Sequence, residues 1–311
     1  MRLNSSTASV LVLCSALWGT SARDWPLSLA AQEQAPPVFS ARSDLVVLDV
    51  LVKDRQNEYV PGMTQDAFVV EEDGVRQTIQ FFAESDAPAT VGLLIDSSGS
   101  MAKAADSVIA AVTTFVETSN PQDEIFALTF NNRVRAVLPR WAPFTGNAQV
   151  LGKTLTSTFR PYGPTALYDA IAQGFDYLEK GSRRRKALIV VSDGGDNASD
   201  ATLEQIVGEV EATSAVIHTI ALAERGERSA NPKLLKQLAD TSGGNNFRPG
   251  KPGQVTSALR HIAHDIRNSY TIGYVSTNTT LDGRLRKVRV AAEMPGQRGL
   301  SVRTRSGYVA R

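Results

Sequence analysis

The sequence predicts an α/β protein: a doubly wound, mostly parallel six-stranded sheet inserted in a small β-sandwich built from both chain ends. Three observations carry this. The middle of the chain alternates apolar runs of strand length with helical patterns, as βαβ units do. Two of those runs, Val91-Gly92-Leu93-Leu94-Ile95 and Ala187-Leu188-Ile189-Val190-Val191, are apolar without alternation, which marks strands buried on both faces. The flanking segments instead carry short alternating strands punctuated by Asp73-Gly74, Asp282-Gly283 and Pro295-Gly296.

The N-terminus reads as a secretory signal over 1–31. Arg2 precedes a short apolar core, Val10 to Trp18, and small residues follow at Thr20-Ser21-Ala22 and Ser28-Leu29-Ala30-Ala31. The run is too short to span a bilayer. Leu13 stands where a lipoprotein signal wants a small residue, so lipidation of Cys14 is not expected. Cleavage after Ala31 removes Arg2, Arg23, Asp24 and the sole cysteine. The expected mature product is an exported, periplasmic or secreted protein with neither disulfide nor membrane span. A polar linker, 32–39, comes next.

Residues 40–87 are expected to supply the N-terminal part of the sandwich. Leu45 to Val52 is rich in β-branched residues, and Phe68–Glu72 and Val75–Ile79 flank the Asp73-Gly74 turn. Alone they make a sheet with little to bury. Residues 269–311 supply the remainder, through Tyr270–Val275, Leu285–Val290 and Leu300–Thr304. The intervening domain, 88–268, is expected to hold strands at 90–96, 123–130, 134–138, 186–192, 215–221 and 245–248. Asn131-Asn132 joins the second to the third by a tight turn, making that edge strand antiparallel. Helices are expected over 101–118, 148–156, 166–180, 202–213, 231–240 and 254–267.

Polar residues gather at the strand ends. Asp96-Ser97-Ser98-Gly99-Ser100 follows the first buried strand, and Ser192-Asp193-Gly194-Gly195 follows the second. In an open parallel sheet ligands bind at the carboxyl ends of strands. Carboxylates and hydroxyls together suit a hard cation such as Mg2+. Gly163-Pro164-Thr165-Ala166 adds one hydroxyl at a turn-to-helix junction, where Thr165 is expected to cap the helix as well as ligate. These three segments resemble the metal-ion-dependent adhesion site of von Willebrand factor A domains, over about 88–268. The resemblance implies that Asp96, Ser98, Ser100, Thr165 and Asp193 hold Mg2+, with Mn2+ or Ca2+ as substitutes. It implies that the hydroxyls touch the ion and the aspartates often act through water. It also implies an adhesion-type module whose protein partner presents an Asp or Glu carboxylate. The order of motifs over the whole chain, closing on Gly307-Tyr308, is similar to exported von Willebrand factor A proteins of acidobacteria.

Other classes fit poorly. With 311 residues and a formal net charge of +1, the chain has no broad attraction for nucleic acid. The basic run Arg183 to Lys186 reads as closing a helix, where cations suit the dipole. There is no phosphate loop, nucleophile elbow or dinucleotide fingerprint, and residue 98 is serine where a phosphatase-type pair needs a second carboxylate, so no enzyme is expected. Asp169 is expected to face solvent or orient a loop, and Asp196 and Asn197 to shape a turn. His261 and His264 are read as solvent-facing rather than as a transition-metal pair, and His218 as a core or edge residue. The alternative function is an envelope scaffold or assembly component whose metal is mainly structural.

Overall fold

The computed structural model describes residues 45–222, 230–251 and 253–310. The expected signal segment and linker lie outside them. The first sheet-forming strands are β1 (Leu45–Lys53), β2 (Phe68–Glu72), β3 (Val75–Gln77) and β4 (Ile79–Ser85). The middle of the chain runs β5 (Ala89–Asp96), α1 (Ala105–Thr118), β6 (Glu124–Phe130), β7 (Val134–Ala136), α2 (Ala148–Thr158) and α3 (Leu167–Lys180). It continues with β8 (Arg185–Ser192), α4 (Leu203–Ala212), β9 (Val216–Ala221), α5 (Pro232–Ser242), β10 (Asn246–Phe247) and α6 (Gln254–Arg267). The chain closes with β11 (Ser269–Val275), β12 (Leu285–Ala292), β13 (Ser301–Arg303) and β14 (Gly307–Val309).

The central sheet has the order β10-β9-β8-β5-β6-β7, and only β7 is antiparallel. Every residue of β5 is buried, because helices cover both faces of the sheet. On one face Val91, Leu93 and Ile95 pack with α1, α2 and α6; on the other, Leu94, Leu188 and Val190 pack with α3, α4 and α5. The double winding therefore follows from two cores back to back, each fed by alternate residues of the same strands.

Two further sheets, β13-β1-β11-β4 and β14-β12-β2-β3, face each other across one core. Leu48, Val50, Tyr270 and Ile272 come from the first, Phe68, Val70, Val288 and Val290 from the second. β1 lies between β11 and β13, and β2 between β12 and β3, so neither N-terminal strand is complete without the C-terminal ones. One expectation is corrected here. Val75–Ile79 is not a single strand: the chain breaks at Thr78, β3 pairs with β2, and β4 crosses to pair with β11. The Asp73-Gly74 turn itself has both φ angles positive, at 48° and 82°, the conformation a two-residue hairpin requires.

Buried charge holds the sandwich in register. Glu72, 2% exposed, accepts hydrogen bonds from Tyr274 Oη at 2.9 Å, Tyr308 Oη at 2.9 Å, Ser276 Oγ at 2.5 Å and Arg286 Nη1 at 3.3 Å. Such a carboxylate is tolerable in a core because its lone pairs are satisfied.

The sandwich meets the central sheet at the amino ends of its strands. The basic run does not close a helix. Instead α3 ends at Lys180 and Arg185 opens β8, where its guanidinium donates to Ile266 O at 2.7 Å and lies 3.4 Å from Asp49 Oδ1. Lys53 Nζ lies 2.9 and 3.1 Å from the Asp265 oxygens, and Asn245 Nδ2 donates to Asp265 at 2.6 Å. Arg267 of α6 clasps Asp86, on the segment entering β5, at 2.6 Å. A cavity of ≈ 40 Å³ remains at the junction, lined by Asp49, Arg185, His218, Asp265, Ser269 and Arg303 among others. His218 Nδ1 accepts from Asn245 N at 3.2 Å, and burial, with the charges of Arg303 and Lys53, pushes its pKa down to about 3.

Two stability predictions follow from these buried charges. Glu72→Ala leaves buried Arg286 with only the more distant Asp282, at 3.8 Å, and backbone carbonyls, strips three hydroxyls of their acceptor, and is expected to cost about 3–5 kcal/mol. Glu71→Ala, one residue away in an exposed pair with Arg289, is expected to cost less than about 1 kcal/mol. Urea denaturation of the two variants checks the contrast. For His218, the unfolded chain takes up a proton near pH 6.5 while the folded protein waits until about 3. Its contribution to stability is therefore present above pH 6.5 and is lost as pH falls from 6.5 toward 3. His218→Gln should flatten the slope of unfolding free energy against pH across that window relative to wild type.

Candidate metal centre

Parallel pairing brings the site together. β5 and β8 are neighbours in register, Ile95 opposite Val191, so Asp96 and Ser192 end their strands side by side. Ser192 Oγ donates to Asp96 Oδ2 at 2.7 Å, and Ser98 N donates to Asp96 Oδ1 at 2.8 Å. Ser98 Oγ lies 3.0 Å from Ser100 Oγ, which donates to Asp193 Oδ2 at 2.8 Å. A hydrogen-bonded chain, Ser98–Ser100–Asp193, thus joins the loop after β5 to the loop after β8. Ser98 and Ser100 cap nothing: the helical stretch opens as a 3-10 turn, Gly99–Ala104, without a side-chain cap bond. Their hydroxyls are directed at the carboxylates instead.

The Thr165 segment is fixed to both loops through backbone bonds. Tyr162 N donates to Ser97 O at 2.9 Å and Gly99 N to Gly163 O at 3.2 Å. On the other side, Asn197 N donates to Thr165 O at 2.9 Å and Thr165 N to Asn197 Oδ1 at 2.8 Å. The expected capping role is corrected. α3 begins at Leu167 with Ala166 at its cap position and no side-chain cap bond. Asp196 Oδ1 accepts from Tyr168 N at 3.2 Å, and Ser199 Oγ from Asp169 N at 3.2 Å, so the next loop caps α3 from outside. Among the described residues no group hydrogen-bonds the Thr165 hydroxyl, which is left for a ligand.

The electrostatics point the same way. Asp96 is 0% exposed and Asp193 3%. Among the described residues no Lys, Arg or His pairs with either carboxylate. Burial pushes the Asp96 pKa up to about 6, against the pull of bonds from Ser98 and Ser192, and the Asp193 charge adds to the rise. Buried carboxylates are ordinarily paired or bound to metal. Two of them with three hydroxyls form an oxygen-only donor set fitted to a hard divalent cation. Among the described residues no cluster of three His, Cys, Asp or Glu side chains has metal-binding geometry. His261 instead bonds its own helix at Ser257 O.

Several residues at the site were not singled out in the sequence. Ser192 bridges Asp96 and Gly194 N, and its only signal is a hydroxyl before Asp193. Asn197 does more than turn the chain, since it holds Thr165 in place. Asp169 accepts from Asp200 N and Ala201 N and orients that loop.

The family model for the von Willebrand factor type A domain matches residues 91–261, more than half the chain. This protein belongs to that family. Comparison with curated protein sequences gives no match. Among solved structures, a von Willebrand factor type A protein from Catenulispora acidiphila matches with a TM-score of 0.50 at 14% identity, over 86% of this chain and 75% of that one. Its likeness shows the fold. The vWF domain of the type V pili tip protein Mfa5 from Porphyromonas gingivalis matches with a TM-score of 0.46 at 14% identity, over 59% of this chain and 96% of that one. Manganese-loaded TRAP protein from Plasmodium vivax matches with a TM-score of 0.45 at 12% identity, over 74% and 98%. Von Willebrand factor type A domains are protein-interaction modules that commonly bind a divalent metal.

The loop after β8 depends on one glycine. Gly194 has φ +85°, and a Cβ there would stand 2.4 Å from Asn231 O. Gly194→Ala is expected to cost about 1–3 kcal/mol and to displace Asp193. Gly208→Ala, in the middle of α4 with nothing within 4 Å of the new Cβ, should stabilise by about 0.5–1 kcal/mol. Thermal unfolding of the pair checks the opposite signs.

Proposed function

We propose that this protein is an exported, non-enzymatic binding module that captures a partner's Asp or Glu side chain through a divalent cation, most naturally Mg2+. Asp96, Ser98, Ser100, Thr165 and Asp193 are the residues that would hold the ion. The observation that carries the reading is the pair of buried carboxylates, Asp96 and Asp193, beside which no described residue places a cationic side chain. When bound, the cation supplies an open coordination position and residual positive charge for a partner carboxylate.

The chain's own residues do the rest. Ser192 and the Ser98 amide orient Asp96, while Gly195 N, donating at 2.8 Å, and Ser100 orient Asp193. Asp96, Ser98 and Thr165 are buried, and Ser100 is exposed, so a partner approaches from the Ser100 side. No His or Cys stands among these loops to serve as base or nucleophile, which supports binding rather than catalysis. Export rests on the expected signal over 1–31. No helix among the described residues is long and apolar enough to cross a membrane.

Recognition is favoured over an envelope scaffold role by how the loops are held. Backbone bonds from Ser97, Gly99, Thr165 and Asn197 fix the three segments to one another, so assembly of the site does not wait on an ion. The decisive experiment is calorimetric titration of Mg2+ and Mn2+ into wild type and Asp96→Ala, with circular dichroism alongside. Asp96→Ala should keep its fold and lose metal binding; Ser98→Ala and Thr165→Ala should weaken it, each losing one oxygen donor. Saturating ion should stabilise wild type by about 2.7 kcal/mol at a hundredfold excess over Kd. Equal metal affinity in wild type and Asp96→Ala refutes the site. Lost affinity with unchanged capture of partner from envelope extract favours the scaffold role.

A further inference from the structure

We propose that Arg135, on the rim of the metal centre, is a second recognition subsite that reads another carboxylate on the partner, so that the preferred ligand is a segment carrying two acidic side chains. This rests on the metal-site reading above and names the partner chemistry that the site selects.

The rim residue is built into the metal loops rather than attached to a distant surface. β6 ends beside Asp96, and Asn131, 0% exposed, follows it. Asn131 O accepts from Ala166 N at 2.7 Å, next to Thr165. Asn131 Oδ1 accepts from Arg133 N and from Arg135 Nη1, each at 3.2 Å. Arg135 Nη2 donates to Tyr162 Oη at 3.2 Å. The Tyr162 amide in turn donates to Ser97 O, and the next residue accepts from Gly99 N. The guanidinium is therefore anchored to the β6–β7 turn and to the Thr165 segment, and through the backbone of that segment to the loop after β5.

Its remaining capacity faces outward. A guanidinium has five N–H donors, and these two bonds go to neutral acceptors. Arg133 and Arg135 are exposed, and among the described residues no carboxylate pairs with either. Tyr162 is 51% exposed, and the Arg135 hydrogen bond, with the charges of Arg135 and Arg133, holds its phenol below the usual value, a sign of positive potential at this edge. The opposite flank is acidic: Asp169, Asp196 and Asp200 lie around the start of α3. Toward β7, a second anion on the partner meets the exposed Arg133 and Arg135 rather than this acidic flank. Arg offers a planar fork matched to a carboxylate, and here it is already oriented, so less freedom is lost on binding.

The test uses the full chain in Mg2+ over immobilised synthetic peptides in a Gly-Ser background. One set carries a single Asp; the other carries an Asp and a Glu separated by one to three residues. The readout is the affinity ratio between two-acid and one-acid peptides in the same protein. At the best spacing it should be roughly fivefold, the upper range for an exposed ion pair, and should shrink at high salt. Arg135→Gln should collapse the ratio to about one, and Tyr162→Phe, which removes the group that positions the guanidinium, should narrow it. A ratio of one at every spacing in wild type, or an intact ratio in Arg135→Gln, overturns the subsite while leaving the metal reading standing. Absence of any magnesium-dependent peptide binding overturns both.

Discussion

The parallel register of β5 against β8 is the constraint on which the rest of this protein depends. It ends two buried strands at the same level and so places Asp96 beside Ser192 and Asp193. Carboxylates in such a place are unfavourable unless something positive meets them, and the described protein offers only hydroxyls and amides. In the proposed function, that unfavourable burial is what a bound cation would relieve. A lysine or arginine beside either carboxylate would relieve it in the same way. The apolar cores on both faces of the sheet hold the strand ends rigidly enough to sustain that arrangement.

The sandwich serves a different end of the same sheet. Its strands come from both chain termini, so the central domain is entered at Asp86 and left at Arg267, and those two residues pair. Arg185, Asp49, Lys53 and Asp265 then tie the amino ends of the central strands to β1. The loops carrying Asp96, Thr165 and Asp193 lie at the carboxyl ends, so the attachment and the candidate site are at opposite edges. The junction is polar where the sandwich core is apolar, apart from Glu72, Arg286 and Gln77, and it keeps a cavity where the cores are packed.

Much of the candidate site's layout was legible because a gathering of oxygen donors at strand ends is a local matter of residue type. Asp96, Ser98 and Ser100 alternate along one turn, and Asp193 follows a second buried run, so strand ends and donors could be read together. Thr165 was legible as a hydroxyl at a helix start, but its freedom was not. That depends on Asp196 and Ser199, some thirty residues later, capping α3 in its stead. Asn197, Ser192 and the Asn131–Arg135–Tyr162 chain were likewise silent, because each acts through a partner that sequence separation hides.

By itself the sequence determined the elements and the fold class. Short apolar runs rich in β-branched residues and bounded by turn residues read as strands covered on both faces, and the Asp73-Gly74 pair as a hairpin turn. It also determined the donor types, since oxygen ligands at strand ends follow from composition and position. The tertiary structure alone decided which sheet each sandwich strand joins. Val75–Gln77 and Ile79–Ser85 differ little in pattern, and their separation at Thr78 is set by competition for β2 and β11. It alone decided which hydroxyls are free and which charges lack a partner. Those properties belong to contacts between distant segments, and a hydrogen bond supplied from elsewhere in the chain leaves no mark on the residue that receives it.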